Sequence, residues 1–282
     1  MSAVRRLFVI VRLTLHETVR RRVLLAALLG GAAFLALFGF GLHAIAADAE
    51  RNASRVGQVE RRMVLTMFTL AGLYAVNFLT VLTAACLPVD TMSGEIASGV
   101  MQTVAAKPIS RATIVLGKWL GHAIVLLGYL ALIAGGLLLV ARALGGVSPP
   151  NLHVGLPLLA LEGLIMLTLS IALGTRVSTI ANAVTCIGLY GLAFLGGWFE
   201  QIGTMLGTPG AGDVGVVASL VFPAESMWQL AAHHMQPPLA RELHLTPFSG
   251  ANVASPVMVA YAVGYVLVLG ALAVRWFSRR AL

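Results

Sequence analysis

Six apolar runs, each long enough for a helix to cross a hydrocarbon layer, constrain this chain more than any other feature. At a rise of about 1.5 Å per residue a crossing takes about 20 residues. The runs fall at 23–47, 63–89, 114–141, 156–173, 181–206 and 256–274. Backbone groups in lipid must bond within their own segment, so each run is expected to be an α-helix and the chain an all-α polytopic membrane protein. Composition agrees: 11% of residues are charged, against roughly 25% in an ordinary soluble domain. With 59% hydrophobic residues, the chain cannot coat a water-soluble globule and is too apolar to stay disordered.

The net charge of +8 would suit nucleic acid, but no basic stripe interleaves with aromatics in a polar segment, so no such partner is expected. The cations instead mark topology. With both termini in the cytoplasm, Arg5, Arg6, Arg12, Arg20, Arg21, Arg22, Lys107, Arg111, Lys118, Arg176, Arg275, Arg279 and Arg280 lie inside, with the acids Glu17, Asp90 and Glu95. Only Arg51, Arg55, Arg61, Arg62, Arg142 and Arg241 remain outside. That bias favours this orientation over its inverse. Ala44-Ile45-Ala46 imitates a secretory cleavage site, yet the run before it exceeds the about 7 to 15 residues of a signal core, so an uncleaved first span is expected. Cys86 and Cys186 both lie in apolar runs and read as packed thiols.

The whole chain, 1–282, reads as one transmembrane domain. Residues 1–22 read as an amphipathic interfacial helix with Val4, Leu7, Phe8, Val11 and Leu15 near one face and arginines free to meet lipid phosphates, a disordered basic leader being the alternative. Residues 23–89 supply two spans, 90–113 a cytoplasmic loop, 114–206 three more spans, and 256–282 the last span with a basic tail. In the outer segment, 207–255, the run 214–222 is too short to cross, and Pro223-Ala224-Glu225-Ser226 opens a helix carrying Met227, Trp228 and Leu230. A re-entrant or interfacial hairpin before the last span is the expected result.

The search for catalytic chemistry is mostly negative. Gly117-Lys118 looks like the end of a phosphate-binding loop, but Ala112 and Trp119 stand where that loop needs Gly and Ser or Thr. No nucleotide site or cofactor is therefore expected in this chain, and no HExxH or GxSxG is present to make it an enzyme. His233, His234 and Met235, with Met227, His43, His153 and His244 on the same expected side, offer donors suited to copper. Adjacent helical histidines point about 100° apart, however, so the set does not read as a metal site.

Glu162 is the one acid well inside a span, where an ionised carboxylate costs several kcal/mol or more without a wet cavity or a partner. Two readings stand beside each other. Either Glu162 is functional, in a translocation path with Asn77, Thr80 and Thr83 or as an intramembrane enzyme's acid working with an outer histidine, or these residues hydrogen-bond between helices. Glycines within the spans, among them Gly30, Gly31, Gly128, Gly135, Gly136, Gly188, Gly191, Gly196 and Gly197, are expected where helices approach closely.

The informative polar stretch is Ser93-Gly94-Glu95-Ile96-Ala97-Ser98-Gly99-Val100-Met101-Gln102-Thr103-Val104, then Lys107-Pro108-Ile109-Ser110-Arg111, then Leu116-Gly117-Lys118-Trp119-Leu120-Gly121. Asp90 and Glu95 lie near the start of a short helix, where they complement its dipole, while Pro108 stops it and Lys107 and Arg111 lie toward its other end. The set resembles the first cytoplasmic loop of ABC-2 type permeases, with an acid and a Gly before a short helix, a Pro-x-x-Arg turn, and a Gly-Lys opening the third span. The resemblance extends along most of the chain and implies the type V exporter architecture.

What it further implies is a permease subunit of an ABC exporter. A second copy of the chain would complete the channel, and a pair of separate ATPase subunits would hold the ATP and Mg and dock on a coupling helix near 94–105. Glu95, Gly99, Lys107, Pro108 and Arg111 would make that contact, supported by Glu17, Arg20, Arg21 and Arg22. Residues 222–225 and 228–230 are similar to the permease of nitrous-oxide-reductase maturation transporters. That likeness implies a sulfur or copper cargo for an extracytoplasmic metalloenzyme and a periplasmic accessory protein. A membrane scaffold or sensor that binds an ATPase without transport stays open beside these.

Overall fold

The structure is a computed structural model that describes residues 3–51, 57–105, 109–205, 211–238 and 255–280. Its helices are α1 (Ala3–Val19), α2 (Arg22–Arg51), α3 (Gln58–Cys86), α4 (Val89–Ala97), α5 (Val100–Ala105), α6 (Arg111–Val140), α7 (Leu152–Gly174), α8 (Thr179–Met205), α9 (Ala211–Val221), α10 (Ala224–Met235) and α11 (Pro256–Ser278). Six segments, built on α2, α3, α6, α7, α8 and α11, are long and apolar enough to cross a membrane. Among the described residues there is no strand.

The helices begin and end where side chains can satisfy loose backbone groups. Ser110 caps α6 by accepting from the Thr113 amide at 3.1 Å, and Ser255 caps α11 ahead of Pro256 in its first turn. α6 ends in a π turn, Ala141–Gly145, closed by Gly146 at φ +63°, a left-handed conformation that a side chain would resist.

α7 is apolar all round and sits at the centre, with Leu159, Ile165, Met166 and Leu167 fully enclosed. α2, α8 and α11 lie at the perimeter and turn Leu37, Phe40, Ile180, Leu192, Leu267 and Val268 outward. Such a surface is stable only under lipid or another apolar chain. Lipid supplies no hydrophobic drive between helices, so close packing and buried hydrogen bonds must hold them. Ser170 donates to the Ala85 carbonyl at 2.9 Å, Asn182 to the Ser170 carbonyl at 2.8 Å, and Trp119 to Thr168 at 2.8 Å. Phe38 of α2 stacks on Phe68 of α3 with ring centroids 5.2 Å apart. The glycines divide: Gly31, Gly136, Gly196 and Gly197 lie against neighbouring side chains, whereas Gly30, Gly128, Gly135, Gly188 and Gly191 face open space and do not mark close approaches.

The expected hairpin appears as α9 and α10, joined by Phe222 and Pro223 alone; α10 is buried in the bundle against α7, while α9 lies along α8 and leaves Val216, Val217, Leu220 and Val221 exposed. Met235, at the end of α10, fills the space over Gly155 in the first turn of α7, while Glu225 and Gln229 lie over Gly197 of α8. Trp228 is fully enclosed, its ring 4.8 Å from that of Tyr74 on α3. A helix end leaves its last carbonyls without partners in their own helix. Two phenols of α11 supply them: Tyr261 donates to the Leu220 carbonyl at 2.6 Å and Tyr265 to the Val221 carbonyl at 3.1 Å.

Candidate coupling site

The first cytoplasmic loop of the sequence reading is largely helical, and it does not form one helix over 94–105. α4 follows α3 almost directly, and α4 and α5 are separated by Ser98 and Gly99. Gly99 sits at φ +76° with open space around its Cα, and its amide reaches back to the Ile96 carbonyl at 3.3 Å. A residue without Cβ takes this left-handed turn at no steric cost, which splits the expected helix in two. The resulting corner exposes Ala97, Ser98, Val100 and Gln102, while Met92 and Met101 bury beneath it.

Glu95 points inward, where its carboxylate pairs with the Lys118 ammonium of α6, and both side chains are largely shielded from solvent. One turn further along α6, His122 donates from Nδ1 to the Lys118 carbonyl at 2.8 Å, because a carbonyl can only accept. Its Nε2 is thereby left to accept, and the Thr91 hydroxyl of α4 lies 3.1 Å away, with the Thr18 hydroxyl of α1 at 3.5 Å. One histidine thus touches three helices. Ser93 of α4 adds a hydroxyl pair with Thr179 of α8 at 3.0 Å.

α1 packs along α6 on the stripe Leu7, Ile10, Thr14 and Thr18. The stripe turned to α6 differs from the apolar set read from the sequence, of which Val4 and Phe8 are exposed and Leu7, Val11 and Leu15 are partly covered. The reason lies on α6: a Cβ at Gly117 would stand 2.6 Å from Ile10, and one at Gly121 would stand 2.7 Å from Thr14. The helices close onto the two positions that have no side chain. Glu17 pairs with Arg21, which also lies 3.9 Å from Asp90 of α4. Burial alone would raise the Glu17 carboxyl, but the Arg21 hydrogen bond and the charges of Arg21 and Lys118 outweigh it and hold the group below its usual range. Arg20 and Arg22 are exposed on either side.

Arg111 belongs to a second junction. Its guanidinium donates to the carbonyls of Phe277, at 3.0 Å, and Arg280, and lies 5.7 Å over the Phe277 ring. Arg280 in turn donates to the Thr175 carbonyl that ends α7. Cations placed on helix C-terminal carbonyls are favourable there, and they tie α6, α7 and α11 together beside α4. Lys107 and Pro108 lie outside the described residues, as does His244.

Of the residues read as a polar track, Thr80 and Thr83 spend their hydroxyls on the Val76 and Leu79 carbonyls of their own helix, at 2.8 and 2.7 Å. Asn77 and Glu162 do come together, fully enclosed between α3 and α7. The rings of His233 and His234 are nearly perpendicular, at 81°, and Met235 is turned away into α7, so those three side chains do not converge. Among the described residues no group of His, Cys, Asp and Glu is arranged to hold a metal ion.

Sequence reasoning missed Lys118 as the partner of Glu95, His122 as the shared hinge, and Arg280. The available signal was Gly117-Lys118 with Gly121-His122: two glycines four apart set one face of α6 against a neighbour and aim the polar residue after each at the next helix over.

A family described as ABC-2 family transporter protein matches residues 8–282, which covers every helix above except the first turn of α1. No curated protein matches the chain. The likeness to nitrous-oxide-reductase maturation permeases is accordingly without support.

Proposed function

The chain belongs to the ABC-2 transporter family, a multi-pass permease subunit served by an ABC ATPase, and on that premise we propose that it is an exporter driven from the α4–α5 corner. The observation that carries this reading is an exposed turn, Ala97 to Gln102, backed by the shielded Glu95–Lys118 pair. A push on that turn reaches α6 directly through the pair and α1 through His122. It also reaches α8 through Ser93. Glu95 and Arg111 then act as internal struts, and Ala97, Ser98, Val100 and Gln102 supply the contact surface, with Lys107 and Pro108 following it in the chain. This end faces the cytoplasm, in keeping with its cations, and the outward apolar faces of the perimeter helices accept lipid and a second copy of the chain. A wall this apolar suits a lipid-like or amphipathic cargo.

The test is reconstitution in vesicles with the partner ATPase outside and a fluorescent short-chain phospholipid as probe. ATP, but not a non-hydrolysable analogue, is expected to move probe to the inner leaflet. Ser98→Trp, which overfills the exposed turn without touching the core, is expected to reduce both ATPase capture and probe movement at least tenfold. Capture with no movement of any amphipathic probe would make the chain a scaffold. Turnover by the isolated chain that vanishes in Glu162→Gln would make it an enzyme.

A further inference from the structure

Away from the coupling end, the hairpin brings a second carboxyl to Glu162. Glu225, in the first turn of α10, interacts electrostatically with Glu162 of α7. Asn77 and Tyr74 of α3 and Tyr190 of α8 face the same pair. Glu162 and Asn77 have no exposed surface at all, and Glu225 and Tyr190 are 7% exposed. Both oxygens of Glu162, Oε2 of Glu225, both polar atoms of Asn77 and the Tyr190 hydroxyl lack a well-formed hydrogen bond. Four helices therefore converge unpartnered oxygen and amide groups on one buried point.

The charge of this cluster is one-sided. The groups that act on Glu162 are Glu225, Asn77 and Tyr190, and those that act on Tyr190 are Glu162, Glu225 and Tyr74. Elsewhere on the elements packed around α10, Tyr261 and Tyr265 of α11 are engaged with α9, and His233 and His234 lie two turns away at the far end of α10. No Lys, Arg or His is therefore among the described side chains facing the pair. Like carboxylates confined together in a low dielectric cannot both be ionised without positive charge from elsewhere.

We propose that Glu162 and Glu225 form a proton-binding site that fastens the α9–α10 hairpin to the bundle. A proton on one carboxyl gives it an O–H to donate to the Asn77 oxygen, and the Asn77 amide and Tyr190 hydroxyl donate to the remaining carboxylate oxygens. Every unpartnered atom then has a partner of the right polarity. Loss of the proton sets two carboxylates against each other across the α7–α10 contact, so the hairpin loosens in alkali.

The test uses the full chain in lipid nanodiscs. Infrared spectra at neutral pH are expected to show the carbonyl stretch of a protonated carboxyl, shifted in D2O and titrating away as pH rises. Glu162→Gln/Glu225→Gln, which keeps shape and removes the proton, is expected to lose that component. The melting temperature of the wild type is expected to fall as pH rises past neutrality, and that of the double variant to fall less. Absence of the component from the wild type, or its survival in the double variant, would overturn the proposal. So would a wild-type melting temperature raised by NaCl or CaCl2 at fixed pH and lost in the variant, because the occupant would then be a metal ion. The wild-type spectrum decides even where the variant folds poorly.

Discussion

Glu95→Ala is expected to destabilise the protein by about 3 to 5 kcal/mol, because it leaves the Lys118 ammonium shielded and uncompensated near the start of α6. The Thr91 carbonyl, at 3.5 Å from Nζ, is too distant to replace a carboxylate. The expected readout is a large loss of folded protein from detergent extracts and a sharp fall in melting temperature. Glu95→Met combined with Lys118→Met removes both charges and fills similar volume, so most of that stability is expected to return. The proposed coupling role of the pair separates at this point. The double variant folds but joins α4 to α6 only through apolar contact, and ATP-driven probe movement is expected to fall more than tenfold while ATPase capture persists. Full movement in a stable double variant would mean that the ion pair transmits nothing.

Gly121→Leu is expected to drive α1 off α6. The first added carbon alone meets Thr14 Cβ at 2.7 Å and the Val11 carbonyl at 3.4 Å, neither of them the tip of a flexible side chain. Overpacking of this kind costs about 1 to 3 kcal/mol, which a bundle with this many interhelical contacts can survive with α1 displaced. Displacement carries Thr18 away from His122 and Arg21 away from Asp90 of α4. Single cysteines at Val11 and Ala123, or electron-spin labels on α1 and α6, are expected to report a separation several ångströms larger in the variant. Gly128→Leu, at a position with open space around it, is the control and is expected to change neither distance nor transport. An unchanged distance in Gly121→Leu would mean that α1 is not seated on these glycines.

The spans were legible because lipid leaves a 20-residue apolar run one solution, and each helix brackets its run to within a few residues. The hairpin was legible for a related reason: 214–222 is too short to cross, yet too apolar to sit in water. The face of α1 was not. Val4 and Phe8 are as apolar as Leu7 and Ile10, and only the bare positions Gly117 and Gly121 on another helix decide which stripe is covered. Glu95 was found as a residue, but its direction depends on Lys118 across a helix junction, which periodicity within α4 does not encode. Glu162 stood out as an acid in a span, whereas Glu225 looked like an ordinary first-turn acid of α10. Its meeting with Glu162 exists only once the hairpin folds back along α7.

The most direct measurement is the side from which the α4–α5 corner can be reached, with and without the ATPase. In a background where Cys86 and Cys186 are replaced by Ala, Ser98→Cys places a thiol on the exposed turn. A membrane-impermeant maleimide is expected to label it in inverted vesicles and not in intact cells, and bound ATPase is expected to protect it. Labelling in intact cells, or equal labelling in the presence of the ATPase, would contradict the assignment of this corner as the place where ATP-driven motion enters the permease.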